Sequence, residues 1–204
     1  QVTWEDPIYT DYRGVQCWEC PPNSQGAHAL MALNIAEEFN LSDMGYQSAD
    51  TYHHLIECVR LAFADGLYHI TDPREVTIPI SQLLSKSYAS LRRESISTSK
   101  ASREMTRGNT LNLGDTVYIS CVDGKGNACS LLNSLFAAFG TGLVVPGTGM
   151  SLQNRGISFS LDPSMPNALA PQKRPFHTLA PAMATRDGEL WLSYGVMGGI
   201  QHAQ

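Results

Sequence analysis

The residues best equipped for chemistry lie at Gly114-Asp115-Thr116-Val117-Tyr118, where a polar stretch meets an alternating apolar one. A cut before Thr116 would put a free α-amine and a hydroxyl on one residue. Such an amine has an unperturbed pKa of about 7.7–8.0. It can therefore take the proton of its own Oγ and leave a nucleophile. This is the minimal equipment for amide hydrolysis by an N-terminal threonine. Threonine on a strand is commonplace, so the residue type alone does not select Thr116.

Other chemistry-bearing groups are weaker. Cys17-Trp18-Glu19-Cys20 is a CxxC with no second pair, which reads as incidental rather than as a zinc or redox site. The five cysteines, Cys17, Cys20, Cys58, Cys121 and Cys129, are odd in number and irregular in spacing. They do not form a disulfide framework and favour a reducing, cytoplasmic compartment, although the sequence assigns none. Cys121 and Cys129 fall on expected strands and read as buried hydrophobes. His53 and His54 are neighbours, so a helix would turn them about 100° apart and keep them from one metal. Asp65 reads as a tie at a helix end. No cofactor and no metal site is expected.

The elements that must position Thr116 follow from periodicity. Pro21-Pro22-Asn23-Ser24 is a stop, with Ser24 as an N-cap. Leu30, Leu33, Ala36 and Phe39 then recur at helical spacing up to Asn40. Ser48 caps a second helix with Asp50 in its first turn, and Leu55, Val59, Ala62 and Phe63 supply its apolar face. Asp72-Pro73 stops the chain beyond it. A third short helix is expected from about Gln82 to Arg93. Ser95 to Gly114 has no apolar period and reads as a mobile surface linker. Val117, Ile119 and Cys121 then alternate with polar residues. Asp123-Gly124-Lys125-Gly126-Asn127 turns the chain back through Ala128 to Leu135. A second hairpin is expected over 178–184 and 190–195, turning at Arg186-Asp187-Gly188. Helices followed by strands predict a layered α+β fold.

Composition narrows the class. Among 204 residues, 14 are Lys or Arg and 19 are Asp or Glu, giving a net charge of −5. With no basic cluster, nucleic-acid binding is not expected. Hydrophobic residues make up 43%, enough for a core, and charged residues only 16%. That is below the roughly 25% of an average globular chain. The deficit argues against disorder and coiled coil, and points to surface covered by a partner segment. No apolar run reaches the roughly 18 residues of a membrane span. Residues 1–13 lack the pattern of a signal peptide. The chain begins without Met, which leaves export open.

Several ordered blocks resemble the gamma-glutamyltransferase (gamma-glutamyltranspeptidase) family around its junction of large and small subunits. They are Pro21-Pro22-Asn23-Ser24-Gln25-Gly26, Ala62-Phe63-Ala64-Asp65 with Asp72-Pro73, and Thr116 with Val122-Asp123-Gly124-Lys125-Gly126-Asn127-Ala128. Phe139-Gly140-Thr141-Gly142, Pro146-Gly147-Thr148-Gly149, Lys173-Arg174-Pro175 and Gly198-Gly199 follow. The resemblance implies the αββα sandwich of the N-terminal nucleophile hydrolases, incomplete here. It implies a large-subunit-like segment over 1–115, ending in the linker 95–115, and a small-subunit-like segment over 116–204. Together they form one composite domain that needs the missing segments of both subunits. It also implies self-cleavage between Asp115 and Thr116, with Thr116 Oγ then attacking an amide. Ser134 stands where the family has a hydroxyl near the nucleophile. Gly198 and Gly199 match its oxyanion-hole glycines. No cofactor is implied, and a homodimer stays open.

The departures shape the expected substrate. The family's Thr-Thr-His start is Thr116-Val117-Tyr118 here. A substrate-contacting Asn becomes Phe136. The positions that hold a substrate ammonium become Arg155 and Ser158. A serine pair after Lys-Arg-Pro becomes His177-Thr178. Losing the acidic partner disfavours a γ-glutamyl group, whereas Arg155 suits a carboxylate. Three readings follow. The leading one is a self-processing threonine hydrolase of the cephalosporin-acylase-like or oxamate-amidohydrolase-like branch, acting on a small carboxylated amide. The second is a glutathione hydrolase or γ-glutamyl transferase. The third is an inactive relative serving as an interaction module.

Overall fold

A computed structural model of the chain describes residues 3–102 and 115–204. The front of the chain is not purely helical, as the sequence reading had it. Ile8–Tyr12 (β1) and Val15–Glu19 (β2) form an antiparallel hairpin. Arg13 and Gly14 connect them with φ of 54° and 79°, the positive angles of a two-residue turn that matches strand twist. β1 mixes aromatic and acidic residues, which hid its period of two.

Three further stretches form the helical layer. They are Gly26–Glu37 (α1), Ala49–His69 (α2) and the pair Ile80–Leu83 (α3) and Lys86–Arg93 (α4). The third expected helix is thus split, because Ser85 caps α4 by accepting from Tyr88 N at 3.2 Å. Ser48 caps α2 as expected, accepting from Thr51 N at 3.0 Å. Ser24 does not cap α1. Gln25 holds the N-cap place, and Ser24 Oγ donates to Leu179 O at 2.6 Å. Asp65 does not tie a helix end; its carboxylate meets Arg92 Nε at 2.9 Å and joins α2 to α4.

The first part of the stretch read as a mobile linker is packed on the helical layer. Ile96 is buried with Ile35, Phe39 and Cys58. Ser97 O lies 2.7 Å from His53 Nε2, and Ser102 O accepts from Arg60 Nη2 at 2.6 Å. Residues 95–102 are therefore docked on α2. The rest of the expected linker, 103–114, lies outside the described residues.

Among the described residues the strands make two antiparallel sheets. β1 and β2 join Ala182–Arg186 (β5) and Glu189–Tyr194 (β6) in the order β1-β2-β5-β6, with Cys17 opposite Ala184. One face of this sheet carries Val15, Cys17 and Ala184, which pack on Leu30 of α1. Asp115–Val122 (β3) and Ala128–Phe136 (β4) form a second, two-stranded sheet. It lies against the opposite face. Ser120 Oγ donates to Ser193 Oγ at 2.8 Å, and Ser130 Oγ donates to Tyr194 O at 3.2 Å. The molecule is therefore mixed α and β, in the sequence of layers helices, sheet, hairpin. Val117, Ile119 and Leu131 leave about half their surface exposed on the outer side of the hairpin. Cys121 and Cys129 oppose one another there and are exposed, contrary to the expectation of burial.

A long connection, 137–181, returns from β4 to β5. Asp72 fixes it to the helical layer. Its carboxylate has no exposed surface and takes Arg74 Nη2 at 2.6 Å and Arg174 Nη2 at 3.2 Å. It also accepts from Arg174 N at 2.8 Å. The Asp72-Pro73 and Lys173-Arg174-Pro175 blocks are thus two halves of one tie.

Candidate active site

Thr116 is the second residue of β3 and faces Ser134 of β4. The register slips between Asp115 and Thr116: Asp115 opposes Phe136, so β4 carries one extra residue, Leu135. Bulges of this kind re-aim side chains next to reactive sites. Thr116 Oγ1 donates to Ser134 Oγ at 3.0 Å, and Ser134 Oγ accepts from Phe136 N at 2.8 Å. The serine hydroxyl is thus anchored by backbone on one side and presented to Thr116 on the other. In an unbroken chain the Thr116 nitrogen is an amide and cannot be a base; a cut before it supplies the amine.

Phe136 holds a positive φ of 77° and is buried. This bent conformation turns its ring under Arg155, whose guanidinium carbon sits 4.8 Å from the ring centre. Arg155 opens a short 3₁₀ turn, Arg155–Ser158, and is only 2% exposed. It is not a solvated loop charge. Nη1 donates to Thr178 Oγ1 at 2.5 Å, while Nη2 has no hydrogen-bond partner among the described residues. Burial lowers its pKa to about 10, so it stays cationic at neutral pH. An unpartnered buried guanidinium edge is chemically suited to a carboxylate or another anion.

His177 lies beside this cation. Burial and the Arg155 charge lower its pKa to about 4, so it is neutral at working pH. Its Nδ1 accepts from Leu179 N at 3.1 Å, which leaves Nε2 as the protonated nitrogen. The backbone of 175–179 runs parallel to the Asn23-Ser24-Gln25 loop. Gln25 N donates to His177 O and His177 N to Asn23 O, each at 2.8 Å.

Gly198 and Gly199 take φ of 128° and 66°, a backbone path closed to most side chains. The side chain of Gln25 donates to both Thr178 O and Gly199 O, the latter at 3.0 Å. The fold therefore joins three distant sequence blocks. Phe136, Ser158, Thr178 and Gly199 line one cavity of about 70 Å³. Arg155 and His177 line a larger one of about 660 Å³ with Asn23, Ser24 and Arg174. Thr116 and Ser134 approach this group through Asp115, whose strand partner is Phe136. Ser158 contributes its carbonyl to Asn167 Nδ2 at 2.7 Å. Gln25 and Asn23 were legible only as part of a loop, since nothing local in the sequence reveals partners more than 150 residues away.

The gamma-glutamyltranspeptidase family model matches residues 1–204. The chain belongs to the gamma-glutamyltranspeptidase family. It is 39% identical over 196 residues to the glutathione hydrolase-like YwrD proenzyme of Bacillus subtilis, covering 96% of this chain and 37% of that one. It is 38% identical over 193 residues to the oxamate amidohydrolase proenzyme of Klebsiella pneumoniae, covering 95% and 36%. The crystal structure of cephalosporin acylase from Bacillus halodurans superposes with a TM-score of 0.85 at 42% identity, over 98% of this chain and 36% of that one. The chain thus spans a little over a third of the length of these family members. They are hydrolases and acylases by name, and the first two are named as proenzymes.

Proposed function

We propose that this chain is the subunit-junction part of a self-processing N-terminal threonine hydrolase that cleaves an amide in a small carboxylated substrate. The hydrogen bond from Thr116 Oγ1 to Ser134 Oγ, set at the bulge beside Asp115, carries the reading. Thr116 Oγ attacks the Asp115 carbonyl, the C–N bond breaks, and an ester links Asp115 to Thr116 Oγ. Water hydrolyses the ester, leaving an Asp115 carboxylate and a free Thr116 amine. That amine then takes the Oγ proton as Oγ attacks the substrate amide, and passes it to the leaving amine. Water, or an acceptor amine, releases the acyl group. Ser134 orients Oγ, and the Gly198 and Gly199 N–H groups receive the oxyanion.

Arg155 binds the substrate carboxylate through Nη2, with Phe136, Ser158, His177 and Thr178 around it. Its fixed charge disfavours an ammonium nearby, which sets this site against a γ-glutamyl donor. Helices on one face of the main sheet and the hairpin on the other support three layers of an αββα sandwich. The exposed outer face of β3–β4 supports burial by the rest of the two subunits. Segments 1–115 and 116–204 form one composite domain in this reading.

A denaturing gel of the full-length protein tests it. Two fragments are expected, the smaller starting at Thr116, with a single chain for Thr116→Ala. One intact band for the unmutated protein would instead favour the interaction-module reading. With cleaved protein, carboxylated amides are expected to turn over faster than a γ-glutamyl anilide. The opposite order would establish the glutathione hydrolase reading that the names of several family members favour.

A further inference from the structure

A second contact holds the glycine turn, and it is ionisable. Glu19 ends β2 with its side chain on the helix-facing side, and its carboxylate is fully buried. Oε1 lies 2.5 Å from Nε2 of His202, whose side chain is 2% exposed. The His202 ring stacks on Tyr194 with centres 6.2 Å apart and planes 8° from parallel. Room for Glu19 is made by Gly26, the first residue of α1. A Cβ there would stand 2.7 Å from Glu19 Cβ and 2.9 Å from its Oε2. The turn at 198–202 therefore hangs on two struts. Gln25 grips Gly199 O from one end of the Pro21-Pro22 loop, and Glu19 grips His202 from the other. Between them the Gln201 side chain fills the space beside Gly198, where a Cβ would meet its Oε1 at 2.8 Å.

Stability alone is a poor reason for such a pair. Apolar residues of similar volume usually serve a buried site as well or better. Here Glu19 Oε2 and His202 Nδ1 have no further hydrogen-bond partner among the described residues, so the pair is not part of a satisfied network. What it does provide is a directional bond three residues beyond Gly199. We propose that Glu19 and His202 are positioning residues, which fix the Gly198–Gly199 backbone for oxyanion binding. The inference rests on the threonine-hydrolase reading above. An oxyanion donor displaced by about 1 Å forfeits roughly 100-fold in rate without changing ground-state binding.

Two variants of the full-length protein test this with a carboxylated amide substrate. Glu19→Gln keeps an acceptor for His202 Nε2–H, and kcat is expected to stay within about threefold of the parent. Glu19→Leu combined with His202→Phe removes both polar groups together, keeps an aromatic ring on Tyr194, and should fold. Its kcat is expected to fall about 10–100-fold with KM within about twofold, while cleavage before Thr116 still occurs. Parental kcat in the double variant, a change confined to KM, a loss in Glu19→Gln as deep as in the double variant, or failure of the double variant to fold would each overturn the positioning role. An uncleaved, inactive parent would instead overturn the threonine-hydrolase reading itself.

Discussion

Thr116 and Ser134 face each other because the β3–β4 register runs unbroken from the Val122/Ala128 pair up to them and slips only at Asp115, and the proposed chemistry rests on that one contact. Ser134 is held by Phe136 N at 2.8 Å, so it presents a fixed oxygen to the Thr116 hydroxyl. Ser134→Ala is expected to slow cleavage before Thr116 by about 10–100-fold, read as the half-life of the unbroken chain on a time-course gel. Arg155 is the second residue on which the proposed function rests. It stacks on Phe136 and offers one guanidinium edge, and lysine can do neither in the same way. In cleaved protein, Arg155→Lys is expected to raise KM for a carboxylated amide about tenfold or more, with a smaller change in kcat. An unchanged KM would remove Arg155 from substrate binding. Both residues could be singled out in the sequence, Thr116 by its place at a polar-to-apolar junction and Arg155 by its departure from a family pattern. Their surroundings could not. Burial of Arg155 depends on Phe136 adopting a positive φ, which a residue type that rarely does so gives no reason to expect.

The elements show the same division. Ser48 and Ser85 are capping residues with short-range partners, and their helices are written in local sequence. The β3–β4 hairpin and the β5–β6 turn at Asp187-Gly188 are likewise local. The β1–β2 hairpin is not, because its partner strand is β5, more than 160 residues away. The Asp72 tie is also long-range. Arg74 and Arg174 beside Asp72 hold its carboxyl well below the usual carboxylate range. A depressed carboxyl pKa stabilises the fold fully above the unfolded value of about 3.9, and that contribution is lost progressively as pH falls from there through the depressed folded value. Asp72→Asn is therefore expected to lose roughly 3 kcal/mol of stability at pH 7, with a smaller difference at pH 3. Urea unfolding of both proteins at the two pH values checks this. A difference that does not shrink with acid would mean that the tie is not electrostatic.

At the scale of the whole molecule, the helical layer carries a buried titratable group of its own. His28 of α1 sits between Phe63 and Phe176, with ring centres 4.9 and 5.4 Å away. Burial lowers its pKa to about 4. The unfolded chain binds that proton from about pH 6.5 downward, so folding stability falls as pH drops from about 6.5 toward 4. His28→Leu is expected to flatten the melting temperature between pH 7 and pH 4.5 relative to the parent. An unchanged slope would show that His28 does not carry this dependence. The layers themselves, with one sheet between helices and a hairpin, were legible as α+β from the order of helices and strands, whereas two stacked sheets were implied only by the family resemblance. Their stacking depends on hydroxyl contacts such as Ser120 to Ser193, which leave no apolar signature.

The most direct measurement is an acid-quenched mass spectrum of the full-length protein during turnover of a carboxylated amide. The account predicts two polypeptides, with the transient acyl mass on the one that starts at Thr116 and mapped to that residue. An acyl group found elsewhere, or turnover by a chain still joined through Asp115–Thr116, would contradict it.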